Sequence, residues 1–557
     1  MSADVTLLPG PLTNARRPTW VPARPAWVDI TIGLLLALLV VSLQFRAGAY
    51  HAEFDNDEIS HYVSGLFVHD YLAYGIPRSF LAYLRWWHSH YAYVGIGHWG
   101  PLYYLVEAVW MMLFGESRAS VFLLAAGVTA ATAIVLYRIV SVRLGRVAGA
   151  GMAVALVLSP LVQVGTSELM LDMPITLCCL LASLAFGRYL ATGRAVYSIL
   201  FGVIATAALL MKGNAASLAF VPVFSIAFSG KWSVLRRPSL WAAALIVVAV
   251  AGPWYALSYG QVAAGFRYAW GWDYTSVALP AFATGLLTGP GAVFAVLGLL
   301  GFLRVCLRGV LLSDGGVTAA MAALFAGVFL FQVVAPADIQ FRYLSPALPP
   351  LLYLAADVVC RLAAAWAPRR RGVIEAAVFC GGIAAIVPSS LHVPAKPQIG
   401  AIAAARELWS ERRAQNPAVL VVADEIAEGA MIVELAMQDP SRPSLFAIRG
   451  SRLLGGGGYN NQDYVPRFLS PQDVMDAIDR FAIPFVVVRS RPGHNRWKHI
   501  DQVEQARALQ PQRWTLVYSS GPPEAPWRIY RIAGNDAETA DPSRLEQLSA
   551  PHALGGG

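Results

Sequence analysis

The sequence predicts a polytopic all-α membrane protein with about eleven transmembrane helices and a C-terminal extracytoplasmic α/β domain. The 557-residue chain is 57% hydrophobic and only 14% charged, whereas soluble proteins average about 25% charged residues. Apolar stretches recur through the first two thirds of the chain, and every second connection between them is basic. The chain beyond residue 393 instead alternates short β-branched runs with helical patterns, as a soluble α/β domain does.

The apolar segments predict the individual spans, because about eighteen apolar residues cross the hydrocarbon core at ~1.5 Å rise per residue. The predicted spans lie near residues 28–46, 119–137, 147–163, 172–187, 196–212, 215–229, 239–258, 285–303, 316–335, 343–360 and 373–391. Residues 101–114 are too short for a span and contain Glu107. We expect them to form a surface helix within the first outer loop, residues 47–118.

The basic residues predict the orientation. Arginines precede the first span and follow the second, fourth, sixth, eighth and tenth, so the positive-inside rule places the N-terminus in the cytoplasm of an inner (plasma) membrane protein. We therefore expect a cytoplasmic segment at 1–27, a membrane module at 28–392, an extracytoplasmic domain at 393–535 and a disordered tail at 536–557. Ala47-Gly48-Ala49 resembles a signal-peptidase site, and cleavage there is an alternative that leaves the later residues outside as well.

Charge and cysteine usage exclude two functional classes. The formal charge of +8 comes from short clusters between apolar stretches rather than from a continuous basic face, so we predict no nucleic-acid binding. The five cysteines lie in or beside apolar segments without metal-ligand spacing and are expected to be small core residues.

The predicted C-terminal domain has strands at 418–423, 485–489, 514–518 and 527–532 and helices at 400–413, 426–437 and 471–481. The glycine run 455–458 lacks the strand-turn-helix context of a phosphate-binding loop, so it gives little support to a nucleotide site.

Polar residues gather at the outer boundary of the predicted spans. Residues 53–58, the acidic run, contain four carboxylates directly after the first span. One interpretation is a solvated helix start that Asp55 or Asp57 caps. The other is a functional site, favoured because Asp172, Lys212 and Arg342 also lie at outer span boundaries. An ionised group costs about 2.5–3.5 kcal/mol at mid-bilayer, so such residues are usually paired or functional.

Six of the ten histidines lie in the first outer loop, so a divalent metal stays open as an alternative. His51, beside the acidic run, and His88 and His90 are the candidate ligands, but their spacing matches no strong metal pattern. We therefore expect no required cofactor.

The boundary residues fall in motifs of a known family. Asp57-Glu58-Ile59-Ser60-His61-Tyr62 resembles the Asp-Glu motif of polyprenyl-phosphate-sugar-dependent glycosyltransferases with the C-type membrane fold. That group includes the protein O-mannosyltransferases and the lipid A aminoarabinose transferases. Later segments resemble further landmarks in order: His98-Trp99-Gly100-Pro101-Leu102-Tyr103-Tyr104, Leu171-Asp172-Met173-Pro174, Leu210-Met211-Lys212-Gly213, Gly252-Pro253-Trp254-Tyr255 and Arg342-Tyr343-Leu344-Ser345-Pro346.

The second of these segments departs from the family pattern. The Lys-Pro-Pro-Leu-Tyr-Tyr motif of the family has its lysine at Trp99 and its first proline at Gly100, with His98 one residue out of register as a substitute.

The resemblance covers residues 28–392 and implies a mechanism. The donor is a sugar on a polyprenyl phosphate, the acceptor is a hydroxyl of a protein, lipid or glycan, and the transfer of the hexose or pentose is inverting. The implied general base is Asp57, with Asp55 and Glu58 as neighbouring candidates, and Asp172 is the implied orienting carboxylate. The implied phosphate-binding cations are Lys212 and Arg342, with Arg267 as a weaker candidate. The implied surface helix and acceptor region carries His98, Trp99, Tyr103 and Tyr104.

A transporter or lipid flippase is the alternative, since intramembrane charges also line transport pathways. That class predicts polar residues through the whole bilayer depth. Here they concentrate at the outer face, apart from Asp357, which favours an enzyme. A catalytically inactive relative that supports the C-terminal domain is a third alternative.

Overall fold

The computed structural model describes residues 26–310, 312, 316–411, 418–456 and 464–535. The expected disordered tail at 536–557, almost all of the expected cytoplasmic segment and part of the glycine run 455–458 lie outside these residues.

The described part of the chain is mostly helical up to residue 391. The first span and the first outer loop contain α1 (Ala26–Arg46), α2 (Asp57–Asp70), α3 (Phe80–His90) and α4 (Leu102–Phe114). The rest of the membrane body contains α5 (Arg118–Leu144), α6 (Arg146–Leu158), α7 (Pro160–Ser167), α8 (Asp172–Thr192), α9 (Ala195–Leu209), α10 (Phe220–Ser229), α11 (Pro238–Ala264), α12 (Trp272–Thr288), α13 (Ala292–Arg308), α14 (Val317–Val334), α15 (Leu348–Trp366) and α16 (Arg371–Leu391). Short 3₁₀ segments at Gly213–Ala219 and Phe341–Ala347 precede α10 and α15.

The spans agree with the prediction in kind but not in number. Among the described residues, seven helices are long and apolar enough to cross a membrane, and counting each of two bent pairs as one span gives nine. Two shorter apolar helices, Ala195–Leu209 and Gly213–Ser229, occupy the expected fifth and sixth spans, so the count of eleven stays a prediction.

The expected eighth span at 285–303 is wrong as a single helix. Helices α12 and α13 meet there at 114°. The break contains Pro290, which has no N–H to continue the helix, and Gly291, whose φ of 80° is unfavourable for other residues. Helices α6 and α7 bend by 57° at a second proline, Pro160.

Helix α4 forms where the surface helix was expected. One face packs on α2, where Glu107 lies against Gly65, while Val109 and Met112 on the other face are exposed. This division between a packed face and an exposed apolar face suits a helix at a membrane surface.

The C-terminal α/β domain contains α17 (Ala401–Glu411), β1 (Ala418–Val422), α18 (Glu425–Gln438), β2 (Phe446–Arg449), α19 (Gly450–Leu453), β3 (Gly455–Gly456), β4 (Val465–Pro466), α20 (Pro471–Arg480), β5 (Phe485–Arg489), α21 (Lys498–Leu509), β6 (Trp514–Ser520) and β7 (Trp527–Ile532). The main sheet has the order β2-β1-β5-β7-β6, parallel from β2 to β5 and antiparallel from β5 to β6. All four predicted strands and all three predicted helices are present, whereas β2, β3, β4, α19 and α21 were not predicted.

This domain packs directly on the first outer loop. One hydrophobic core contains Phe54 and Trp87 from the loop together with Met431 from α18. Arg442 adds ion pairs to two loop carboxylates, Asp70 at 2.8 Å and Glu116 at 2.6 Å. The domain therefore shares its core with the loop that carries the acidic run. The boundary near residue 393 stays a prediction.

Candidate active site

The acidic run ends in a strained turn that begins α2. Helix α2 starts at Asp57, and its N-cap is Asn56, which has φ 45° and ψ −120° and makes no side-chain cap hydrogen bond. The expectation that Asp55 or Asp57 caps this helix is therefore wrong, because the cap position falls on the residue between them. A residue held in such a backbone conformation costs about 1–3 kcal/mol and persists only where its surroundings hold it.

Asp57 contacts a buried arginine from the far end of the membrane module. Arg342 lies in the 3₁₀ segment before α15, and its Nη2 is 2.6 Å from Oδ2 of Asp57. The same guanidinium is 3.5 Å from Glu168, between α7 and α8, and 3.8 Å from Asp172 at the start of α8. One arginine is thus shared by three carboxylates.

Lys212 completes this arginine–carboxylate cluster. Its Nζ donates to Oδ1 of Asp172 at 3.1 Å and lies 4.6 Å from the ring centre of Tyr343. The turn that carries Lys212 is held by Tyr255 of α11, whose hydroxyl donates to the carbonyl of Leu209 at 2.7 Å. The structure therefore brings Asp57, Asp172, Lys212 and Arg342 together, although they are far apart in sequence.

Burial and nearby charges give two of the carboxylates beside Arg342, Asp57 and Glu168, different pKa values. Burial raises the pKa of Asp57, but the charges of Arg342 and Lys212 outweigh burial and leave this pKa below its usual value. Burial, reinforced by the nearby Glu58 carboxylate, raises the pKa of Glu168 to about 7. At neutral pH Asp57 is therefore ionised, while Glu168 is present in both its protonated and its ionised form.

The segment around the surface helix packs against the acidic helix α2. Tyr104 contacts Nδ1 of His61 through its hydroxyl at 3.0 Å, and the Trp99 ring lies 4.5 Å from the His61 ring. Burial lowers the pKa of His61 to about 3, so this imidazole is neutral. Tyr103 is buried beside Tyr104, and Nδ1 of His98 lies 3.1 Å from the carbonyl oxygen of Gln261 at the end of α11.

The close approach at Gly100 explains one departure from the family pattern. The Gly100 N–H donates to the carbonyl of Met211 at 3.2 Å, and the Leu102 N–H donates to the carbonyl of Leu210 at 3.0 Å. A Cβ added at Gly100 would overlap the Leu210 carbonyl. A proline there would also lack the donated N–H, so glycine suits this backbone.

Other predicted site residues lie elsewhere. Arg267 pairs with Asp338 at 3.7 Å, and its side chain is 58% exposed. Within the described residues it lies outside the contacts of the arginine–carboxylate cluster. His90 stacks on Phe446 at 3.9 Å between ring centres, and His51 packs on the ring of Phe45.

One group of metal-ligand type exists within the described ranges, and it contains none of His51, His88 and His90. It consists of His69, Asp70 and Glu116. The Arg442 guanidinium pairs with both carboxylates of the group. An arginine thus supplies the positive charge, so these residues suit an ion-pair network better than a metal.

Three residues of the site were not assigned from the sequence. Glu168 lies one turn before Asp172 and is detectable as a carboxylate at the same outer boundary. Asn56 carries no sequence signal for its strained backbone. Lys396 contacts Glu58 across 338 positions, and only the scarcity of lysine in this chain marks it.

This chain is similar in sequence to one known family and in fold to several solved structures. The sequence profile of the family described as dolichyl-phosphate-mannose-protein mannosyltransferase matches residues 98–256. Together, this match, the helical membrane body and the attached α/β domain confirm the resemblance to C-type membrane glycosyltransferases that the sequence predicts.

Solved structures of another membrane protein share the fold. ArnT from Cupriavidus metallidurans in the apo state is 15% identical and has a TM-score of 0.60, covering 93% of this chain and 99% of ArnT. The same protein bound to undecaprenyl phosphate is 15% identical with a TM-score of 0.58, covering 92% of this chain and 99% of ArnT.

A more distant fold relative is the oligosaccharyltransferase AglB from Archaeoglobus fulgidus, in complex with an inhibitory peptide and a dolichol-phosphate. It is 12% identical with a TM-score of 0.52, covering 93% of this chain and 75% of AglB. No curated protein matches the chain by sequence.

Proposed function

We propose that this protein is a membrane glycosyltransferase that moves a sugar from a polyprenyl-phosphate donor to a hydroxyl acceptor at the outer face of the membrane. The observation that carries the proposal is the contact of Asp57 with Arg342 at 2.6 Å, beside the Lys212–Asp172 pair. A carboxylate next to two fixed cations suits a reaction that removes a proton and releases a phosphate. The undecaprenyl phosphate bound to ArnT and the dolichol-phosphate bound to AglB support the donor class.

In the proposed reaction, the Asp57 carboxylate accepts the proton of the acceptor hydroxyl as its oxygen attacks the anomeric carbon. The bond to the polyprenyl phosphate breaks on the opposite side of the sugar, so the transfer inverts the anomeric configuration. A positioned base of this kind contributes about 10²–10⁴-fold. The transferred sugar is a hexose or a pentose.

Arg342 and Lys212 stabilise the charge that develops on the leaving phosphate. Both are already paired with carboxylates, but Nε of Arg342 makes no hydrogen bond within the described part of the chain. An incoming phosphate adds negative charge to a cluster of three carboxylates and two cations. Glu168, whose pKa is about 7, relieves this excess by taking up a proton at neutral pH.

The orientation follows the arginine clusters. The N-terminus is cytoplasmic, and the active site and the domain at 393–535 face the extracytoplasmic side of the inner membrane. The acceptor is a protein, lipid or glycan that reaches this side.

Mass spectrometry of envelope lipids and glycans tests this function in cells. A deletion strain should lack one sugar modification, and the wild-type chain should restore it. Complementation with Asp57→Asn, which is nearly isosteric, should leave the modification absent. Restoration by Asp57→Asn would exclude Asp57 as the base of the transfer.

A further inference from the structure

The segment that follows the last membrane helix reaches into the acidic run. Lys396 lies beyond α16, and its Nζ is 2.5 Å from Oε2 of Glu58, with side-chain exposures of 9% for Lys396 and 0% for Glu58. The backbone N–H of Lys396 also donates to the carbonyl of Ala47 at 2.9 Å. Lys396 is thus fixed at both its backbone and its ammonium group.

Glu58 connects the segments that carry two of the three carboxylates around Arg342, Asp57 and Glu168. Its Oε1 accepts the N–H of Leu169 at 2.7 Å, directly after Glu168, and its Oε2 accepts the N–H of Asp55 at 2.9 Å. Asp57 precedes Glu58 in the chain. The buried Glu58 carboxylate therefore holds two stretches of backbone: the one next to Asp57 and the one next to Glu168.

The backbone at Asn56 needs such a restraint. The hydrogen bond from the Asp55 N–H to Glu58 spans this strained residue, and strained conformations persist where the surrounding contacts over-determine them. A buried carboxylate can hold two N–H groups as an ionised acceptor only when a cation compensates its charge. Lys396 is the nearest such cation to Glu58 in the described chain.

We propose that Lys396 is a positioning residue that keeps Glu58 in place and so fixes Asp57 and Glu168 against Arg342. This inference rests on the proposed function of Asp57 as the base. In this proposal the segment after α16 supports the catalytic site. Removing the Lys396 ammonium leaves the buried charge of Glu58 without compensation. The start of α2 then relaxes, and the carboxylate of Asp57 moves from its productive position.

Turnover of purified full-length variants tests the role. Lys396→Met should lower kcat about 10- to 100-fold, the usual effect of misplacing a reacting group by about 1 Å, with the donor KM within about twofold of wild type. Glu58→Gln should also lower kcat, because it leaves the ammonium without its partner. The double variant Lys396→Met/Glu58→Gln should lose little more turnover than Glu58→Gln alone, because Lys396 acts through Glu58 and the amide has only one oxygen to accept the N–H groups of Asp55 and Leu169. Lys498→Met, at an exposed lysine of the same domain, should match wild type.

A purely structural contact would give a different pattern. Unchanged kcat in Lys396→Met, or a loss in the double variant equal to the product of the two single losses, would overturn the proposal. Hydrogen exchange of residues 53–62 gives a readout that needs no activity. The exchange should accelerate in Lys396→Met and not in Lys498→Met. Equal exchange in the two variants would also overturn the proposal. A wild-type protein without any transfer activity would instead refute the proposed function.

Discussion

Replacing Arg342 by glutamine removes the cation that three carboxylates share. Breaking a buried ion pair by deleting one partner costs about 3–5 kcal/mol, and the 30% exposure of Asp57 and 33% exposure of Glu168 place this case near 3 kcal/mol. We therefore expect the free energy of unfolding to fall by about 3 kcal/mol. The pKa of Asp57 should rise, because burial continues to raise it after its main lowering contact is gone.

The pH dependence of kcat/KM measures this change. A base must be ionised to act, so the acidic limb of the profile should move to higher pH in Arg342→Gln. Arg304→Gln is the matched control: it removes an arginine 2.8 Å from Asp357, in a pair that does not include Asp57. An acidic limb that stays in place in Arg342→Gln would refute the assignment of Asp57 as a base controlled by Arg342.

Two further predictions concern packing and orientation. Gly100→Ala should lower the free energy of unfolding by about 1–3 kcal/mol and reduce transfer, because the added Cβ overlaps the Leu210 carbonyl. Gly372→Ala is the control: its Cβ meets open space, so this variant should match wild type in a thermal melt. In a chain whose exposed cysteines are replaced by serine, Ser519→Cys should react with a membrane-impermeant thiol reagent in spheroplasts and Thr192→Cys should not. Both positions are exposed, so reversed labelling would contradict the orientation.

The core of the candidate site was predictable because charged residues at a lipid boundary are costly. Asp57, Asp172, Lys212 and Arg342 stand out in an apolar sequence at the ends of spans. In the structure Arg342 contacts Asp57 at 2.6 Å and Asp172 at 3.8 Å, and Lys212 contacts Asp172 at 3.1 Å. Hydropathy also located the membrane helices, and β-branched runs located four strands of the C-terminal sheet.

The remaining features depend on three-dimensional contacts that leave little trace in the sequence. The hydropathy around Pro290 is that of a continuous span, so the 114° bend between α12 and α13 was not visible. Strand β2 has only four residues, too few for a clear pattern. The pairing of Lys396 with Glu58 joins distant segments, and no local rule identifies such partners.

The contribution of Asp57 to turnover is the central claim, and Asp57→Asn tests it most directly. Asparagine keeps the size of the side chain and much of its hydrogen bonding but cannot accept a proton at neutral pH. With purified protein and a polyprenyl-phosphate sugar, turnover should fall by about 10²–10⁴-fold, with little change in donor binding because Arg342 and Lys212 remain. Asp55→Asn changes a carboxylate that lies outside the contacts Arg342 makes in the described part of the chain, so it should cost much less. Near-normal transfer by Asp57→Asn would contradict the account, and loss confined to Asp55→Asn would move the base two residues upstream.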